Sequence, residues 1–404
     1  MNILVINAHW NNRGDESAIR AMTDRLLERY PDSKIKIHSD FNFLQFPLND
    51  KRIENAVIPF GSRKNIIDMY TTFVTKGKFA LVKESKEFYN LIKWADIVLH
   101  APGGPSLGET YAHAEKRYWY KFKMINMQKK PYFFYAPSMG PFVDEKKNKV
   151  RKNILENAKL IITREGVSGK YAKGLVPNKE VYTTMDSAFQ GIIDIKDNEN
   201  KLAKYKELND FINKYDKIVG ITITDLKWHP VHSKKPEIAQ SIRNSFNTII
   251  DYLKDKGYGV VFIPQLFGTA NDKNLMESFA KENCFTMDDN HDCYFQQYII
   301  GKLHAVIGLR YHSNIFSAKM KTPFVSVSYE QKMKGFMEQS GLTDLCIDIE
   351  DLSEKTLIDK FNYLENNYDN IKERLEKASN NALKKSLKTT ELICDYIDKN
   401  MWGR

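Results

Sequence analysis

The chain has 404 residues, 42% of them hydrophobic and 28% charged, with a formal net charge of +10. That length exceeds one ordinary core and predicts two domains. Four scattered cysteines, Cys284, Cys293, Cys346 and Cys394, with no Cys-x-x-Cys pair, argue against a disulfide framework or zinc ribbon and fit a reducing cytoplasm.

The opening residues, MNILVINAHW, read as a strand and not as a signal peptide. Amphipathic spacing predicts a helix over 15–30, a strand over 34–39, a long helical stretch through 64–95 and a strand over 95–101. Strands at 131–138, 159–164 and 179–185 continue the rhythm. The almost wholly polar run 194–210 is the natural boundary. After it, strands are expected at 217–224, 258–265, 284–288, 305–310 and 323–329. Helices lie between them, near 236–256, 271–282, 291–302 and 312–320, and the tail 352–402 reads as charged helix. No apolar run is long enough to span a bilayer.

Strand–helix alternation of this kind means parallel sheets with crossover helices. The expected fold class is therefore α/β, two Rossmann-like doubly wound domains facing across a cleft. The expected domains are 1–195, 215–375 and a C-terminal helix, 376–404, packing back on the first. Ligands in such folds sit beyond the carboxyl ends of the strands.

Lysine excess suits acidic partners: phosphate esters, nucleic acid or an anionic membrane face. Lysine is spread along the chain, and no RNA-binding signature or basic-aromatic stripe appears, so nucleic acid is not an expected partner.

Several loops at strand ends carry chemistry. HWNNRGDESAI (9–19) opens the first helix, and its Asn12, Gly14, Asp15 and Glu16 suit a hydroxyl-bearing ligand. Two carboxylates there disfavour a bare phosphate; Asp15 or Glu16 is a base, or Asp15 simply an N-cap. HAPGGPSLGETY (100–111) offers Gly103 and Gly104 for close backbone approach, but Pro105 removes a donor and the spacing is neither a dinucleotide fingerprint nor a P-loop. Arg164 ends a strand, as an ion-pair partner for a neighbour such as Glu165 or as an anion ligand. Asp186 is a general base or a helix cap.

In the second half, TDLKWHPVHSKKPE (224–237) carries Trp228, His229 and His232. Pro230 breaks any single helical face, so His-x-x-His is not read as a metal site, and a substrate-facing loop is the functional reading. Gln265 and Asp272 are available in the next strand-end loop. GLRYHSNIFSAKMKTPFVSVSYEQKMKGF (308–336) is the densest constellation. Arg310, His312 and Ser313 stand at a strand-to-helix corner, with Tyr329, Lys332 and Lys334 at the next strand end. That grouping suits a doubly charged anion such as a phosphate or carboxylate.

Taken in order, NNRGDESAI, ADIVLHAPGG, SMGPF, TREGVS, MDSAF and the run from Arg310 to Phe336 resemble the polysaccharide pyruvyl transferases. The resemblance implies a glycosyltransferase-B-like fold. It implies transfer of pyruvate from phosphoenolpyruvate (PEP) to two hydroxyls of one sugar in a surface polysaccharide or glycan, giving a ketal and phosphate. It assigns PEP binding to Arg164, Arg310 and His312, to which the anion nest adds Ser313 and Lys332. His312 becomes the expected acid, with Asp15 or Asp186 as the base. Asn12, Gly14, Asp15, Glu16, Gly103, Gly104, Trp228 and His229 are the expected acceptor side. Relatives often carry three glycines where this chain has APGGPS, which puts acceptor specificity at that loop in doubt. No metal or cofactor beyond PEP as donor substrate is implied. The acceptor is a sugar or lipid-linked oligosaccharide, and the protein is expected in the cytoplasm, with peripheral contact at an anionic membrane. Two rival readings stand beside this one: a sugar-nucleotide glycosyltransferase using Asp288 or Glu330 for ribose, and a non-catalytic carbohydrate-binding protein of a polymer-assembly complex.

Overall fold

The computed structural model describes residues 1–8, 12–41, 48, 50–104, 107–110, 112–267 and 271–402. His9, Trp10 and Asn11 of the first loop, and Pro105 and Ser106 of the glycine-rich loop, lie outside the described residues. Contacts divide the chain into two units: Met1–Trp10 with Ala18–Gln190 and Lys385–Arg404, and Asn11–Ser17 with Gly191–Lys384.

The first unit is built on seven parallel strands: β1 (Asn2–Ile6), β2 (Lys34–Ser39), β3 (Ile53–Val57), β4 (Ile97–His100), β5 (Tyr132–Phe134), β6 (Leu160–Thr163) and β7 (Val181–Thr183). Their order is β3-β2-β1-β4-β5-β6-β7, so the direction of winding reverses between β1 and β4. Strands such as NILVI and IVLH are mostly apolar, and buried almost throughout, because helices cover both faces of a parallel sheet. One core cluster joins Leu4, Phe88, Phe122 and Phe134. The other joins Val5, Leu26, Ile97 and Phe133 to Ile393 and Ile397, at the end of the thirty-residue helix Tyr368–Ile397.

The second unit carries six parallel strands: β8 (Ile218–Thr222), β9 (Gly259–Phe262), β10 (Cys284–Thr286), β11 (Ala305–Gly308), β12 (Phe324–Ser328) and β13 (Cys346–Asp348). Their order is β10-β9-β8-β11-β12-β13, and the winding reverses between β8 and β11. Ligand-binding crevices form beyond the carboxyl ends of the strands at such reversals. Thr222 ends β8 and Arg310 follows β11, so the predicted anion corner stands at the reversal.

Three expectations need correction. The polar run 194–210, read as the boundary, holds two helices that were not expected, Ile195–Lys204 and Lys206–Lys214, the first capped by Asp194 accepting from Asp197 N, and the units divide just before it, between Gln190 and Gly191. The stretch 64–95 is two helices, Arg63–Val74 and Lys83–Trp94. Strands β3 and β13 were not anticipated. β3 pairs with β2, Ile53 opposite Ile35, but its IENAV sequence is only half-buried at the sheet edge. Among the described residues, no helix is long and apolar enough to cross a membrane.

Candidate functional site

In the first unit, three of the quoted motifs meet. Arg164 follows β6 and is buried; its Nη1 lies 2.7 Å from Asp186 Oδ2, and its Nε donates to Ser138 Oγ at 2.8 Å. Ser138 comes from SMGPF, Arg164 from TREGVS and Asp186 from MDSAF. The ion-pair partner of Arg164 is thus Asp186 and not Glu165, which instead caps the helix Gly166–Leu175 by accepting from Ser168 N. Asp186 also accepts from Ala188 N at 2.9 Å, so its carboxylate orients Arg164 and closes a turn at once.

Gly103 adopts φ +121°, a conformation that favours glycine, and its carbonyl accepts from Ser138 N at 2.8 Å. Gly104 is also left-handed, at φ +97°. Further along that loop, Gly108 N donates to Glu115 Oε1, and buried Arg151 grips Glu115 through Nε and Nη2 and Glu109 through Nη1. Burial alone would push the Glu109 carboxyl up; Arg151 and Lys147 more than reverse this and hold it at about 2.

In the second unit, Arg310 is the N-cap residue of the helix Tyr311–Met320 and is largely buried. Its Nη2 is ion-paired to Asp272 Oδ1. Asp272 Oδ2 accepts from Gln265 N and Leu266 N, at 3.1 and 2.9 Å, which fixes the carboxylate. Burial works against the Arg310 charge, but the Asp272 carboxylate outweighs it, and the guanidinium is held above its already high value. Arg310 Nε is buried and has no hydrogen-bond partner among the described residues, leaving one N–H for a ligand oxygen. The Trp228 ring lies 5.4 Å from Arg310 Cζ.

His312 is the second residue of this helix, in its first turn. Directly against it passes Gly14: a Cβ built there would sit 1.8 Å from His312 Nδ1. The first turn of the helix Arg13–Arg29 is held in place by several contacts. Asn12 bridges Leu266, and Arg13 N donates to Gln265 O at 3.0 Å. Arg13 reaches Asp289 O at 3.1 Å, stacks 3.9 Å over the Phe267 ring and pairs with Glu16 at 2.8 Å. Asn12 and Asp15 exchange bonds, Asp15 N to Asn12 Oδ1 at 2.7 Å and Asn12 Nδ2 to Asp15 Oδ2 at 2.5 Å. Asn12, not Asp15, is thus the residue whose side chain caps this helix.

Ser313 Oγ donates to Arg310 O at 2.6 Å and meets Thr222 Oγ1 at 2.9 Å, tying the corner to β8. Lys332 is ion-paired to Glu330, the N-cap residue of the next helix, Gln331–Ser340. His229 Nδ1 faces the amides of Val231 and His232, which places its proton on Nε2, 3.2 Å from Glu330 Oε1. Trp228 donates from Nε1 to Thr224 Oγ1 at 3.0 Å, and its ring is partly exposed. Burial pushes the Tyr329 phenol well up, with Glu330 adding to the shift, so it remains a donor beside Arg310. Lys334 is turned to Asp348 at 2.7 Å.

The second unit therefore gathers Gly14, Trp228, His229, Arg310, His312, Ser313 and Lys332, whereas Gly103, Gly104, Arg164 and Asp186 belong to the first. Sequence reading missed Arg13 as the residue that seats the Gly14 turn, and it missed the role of Asp272 as counter-ion. The second had a signal: a buried arginine at a strand end demands a carboxylate. Cation and carboxylate are matched here, Arg310 with Asp272 and Lys332 with Glu330. The arrangement can bind an anion through directed N–H groups beside an imidazole, in a buried setting where such bonds are strong.

Residues 12–331 match the family described as polysaccharide pyruvyl transferase. The amylovoran biosynthesis protein AmsJ of Erwinia amylovora is 23% identical over 406 aligned residues, covering 94% of this chain and 95% of that protein. Among solved structures, the UDP-GlcNAc 2-epimerase of Neisseria meningitidis is similar with a TM-score of 0.58 at 13% identity, covering 96% of this chain and 99% of that one. An α,α-trehalose-phosphate synthase of Burkholderia vietnamiensis gives a TM-score of 0.55 at 11% identity, over 98% and 99%. At such identities the two structures speak for the fold, which is glycosyltransferase-B-like.

Proposed function

The chain belongs to the polysaccharide pyruvyl transferase family, and from that premise we propose that it moves the pyruvate of PEP onto two hydroxyls of a sugar in a surface polysaccharide. The likeness to an amylovoran biosynthesis protein supports the polysaccharide setting. The observation that carries the donor assignment is the corner after β11. There Arg310, braced by Asp272, keeps an unmet Nε–H, and His312 is held against the turn at Gly14.

In this reading Arg310 and Lys332 take the anionic groups of PEP, with Arg164 as a further ligand on the strength of the family resemblance. The His312 imidazolium delivers a proton to the methylene carbon, which makes C2 electrophilic. One sugar hydroxyl adds to C2 and gives up its proton; the C2–O bond to phosphate breaks; the second hydroxyl adds and closes the ketal. Of the two hydroxyl protons, one balances the proton spent on the methyl group and the other leaves with phosphate. Asp15, Glu16 and Asp186 are the carboxylates proposed to accept them. Guanidinium and ammonium groups neutralise the departing phosphate, and donors fixed in advance need no reorganisation. Asn12, Gly14, Gly103, Gly104, Trp228 and His229 remain the proposed acceptor side.

Asp288 and Glu330, the carboxylates a nucleotide ribose would call on, are both engaged: Asp288 with Asn290 N at 2.9 Å and with His291 at 3.4 Å, Glu330 with Lys332 and His229. Phosphate release from PEP with a panel of glycosides tests the proposal. The variant His312→Gln should lose about 10²-fold or more in phosphate release while still binding PEP. Near-normal turnover in that variant removes His312 from the acid role.

A further inference from the structure

The helix Arg63–Val74 wears its sides the wrong way round. Three of its four fully buried residues, Asn65, Asp68 and Thr72, are polar. Ile67, Tyr70 and Val74, at i, i+3 and i+7, share the opposite face and are 72%, 48% and 76% exposed. The following loop adds Phe79 and Leu81, 55% and 66% exposed. The loop is fixed, not loose. Asp68 accepts from Leu81 N and Val82 N at 2.8 and 2.9 Å, and Thr75 Oγ1 donates to Phe79 O at 2.8 Å. Buried polar groups are thus spent on holding apolar side chains out in water, which a solvated surface does not call for.

Charge around the patch is predominantly positive, with Glu84 and Glu87 the partly exposed acids of the segment. Arg63, Lys64, Lys76, Lys78, Lys83 and Lys86 are all exposed. Lys123 reaches Tyr70 from the neighbouring helix Ala112–Met127, its Nζ 4.7 Å from the ring centre. Residues 61–94 hold seven lysines and arginines against three acids, Asp68, Glu84 and Glu87, and Asp68 is buried. A protein interface also sets a polar rim around an apolar core, so what separates the partners is the lysine excess of this ring, which calls for a negatively charged surface. The patch matches a bilayer with anionic headgroups, which takes apolar side chains into the interface and lysines against its negative surface.

We propose that the face made by the helix Arg63–Val74 and residues 75–82 is a peripheral docking surface for an anionic lipid bilayer. The inference rests on this surface and not on the reaction proposed above, although it would bring a lipid-linked acceptor within reach of the enzyme.

Co-sedimentation of the full chain with vesicles tests it. Vesicles of phosphatidylcholine with phosphatidylglycerol should retain the protein at least about tenfold more than phosphatidylcholine alone, and added salt should weaken retention. Ile67→Glu with Leu81→Glu should abolish it, and Lys76→Gln or Lys78→Gln should each cost roughly fivefold. These side chains are exposed, so circular dichroism and PEP binding should be unchanged, which separates a failure here from a failure of the proposed reaction. Equal retention on both vesicle types, or a double glutamate variant that sediments like the parent, overturns the proposal. So does light scattering that shows a dimer in the absence of lipid which Ile67→Glu dissociates, because the patch then belongs to a second copy of the chain.

Discussion

At Gly14 the absence of a side chain is a geometric requirement. Its α-carbon lies so close to His312 that a methyl group would overlap the imidazole at Nδ1, Cγ and Cβ. The overlap reaches His312 Cβ, so Gly14→Ala should cost about 1–3 kcal/mol of stability, which the helix propensity of alanine, about 1 kcal/mol, offsets only in part. It should cost about 10²-fold in turnover by pushing the imidazole aside. Kinetics and thermal melting on the same sample separate the two effects; a variant with unchanged turnover means that His312 does not need its present place. The placement of Arg310 and His312 at a strand-to-helix corner was legible in the sequence, as a guanidinium and an imidazole closing an apolar run. Their surroundings were not. Asp272 lies 38 residues from Arg310 and Gly14 nearly three hundred from His312, and no local pattern joins such positions.

At the scale of elements, the glycine-rich loop after β4 is anchored by ions. Glu109 takes Arg151 and Lys147, and Glu115 takes Arg151 through two parallel bonds. Because the folded-state value for Glu109 lies below that of the unfolded chain, its contribution to stability is complete above the ordinary carboxylate range, near 4.5. It is lost as pH falls from there through about 2. Glu109→Gln should flatten the stability profile over that interval, with its cost greatest at neutral pH and smallest at acid pH; chemical denaturation at stepped pH reads this directly. A variant whose acid profile runs parallel to the parent's assigns that slope to other groups. The apolar rhythm that located β1, β2, β4 and β11 had nothing to work with at β3, where IENAV is half exposed, or at β13, which is three residues long. The run 194–210 misled for the reverse reason. Its two helices bury few side chains, Asn198, Leu202 and Leu208 among them, so their sequences look like solvent.

For the whole molecule, the tandem strand–helix pattern was enough to reach two parallel-sheet α/β domains, since no other architecture buries so many short, mostly apolar strands. It did not reveal that Asn12–Ser17 belongs with the second unit, nor that the C-terminal helix, expected to pack back on the first domain from 376, joins the first unit from Lys385 onward. Those memberships depend on pairs such as Ser386 with Asp186 and Gln190, two hundred residues apart. The chemistry proposed for this fold turns on one trianionic donor gripped at the corner after β11. Calorimetric titration of PEP, and of UDP-GlcNAc as the competing ligand class, into the full chain and into Arg310→Lys tests that most directly. PEP should bind the parent protein, and the lysine variant, which cannot reproduce the guanidinium's directed N–H groups, should bind it about ten- to a hundredfold more weakly. No heat with PEP, or UDP-GlcNAc binding that the variant retains in full, would contradict the account.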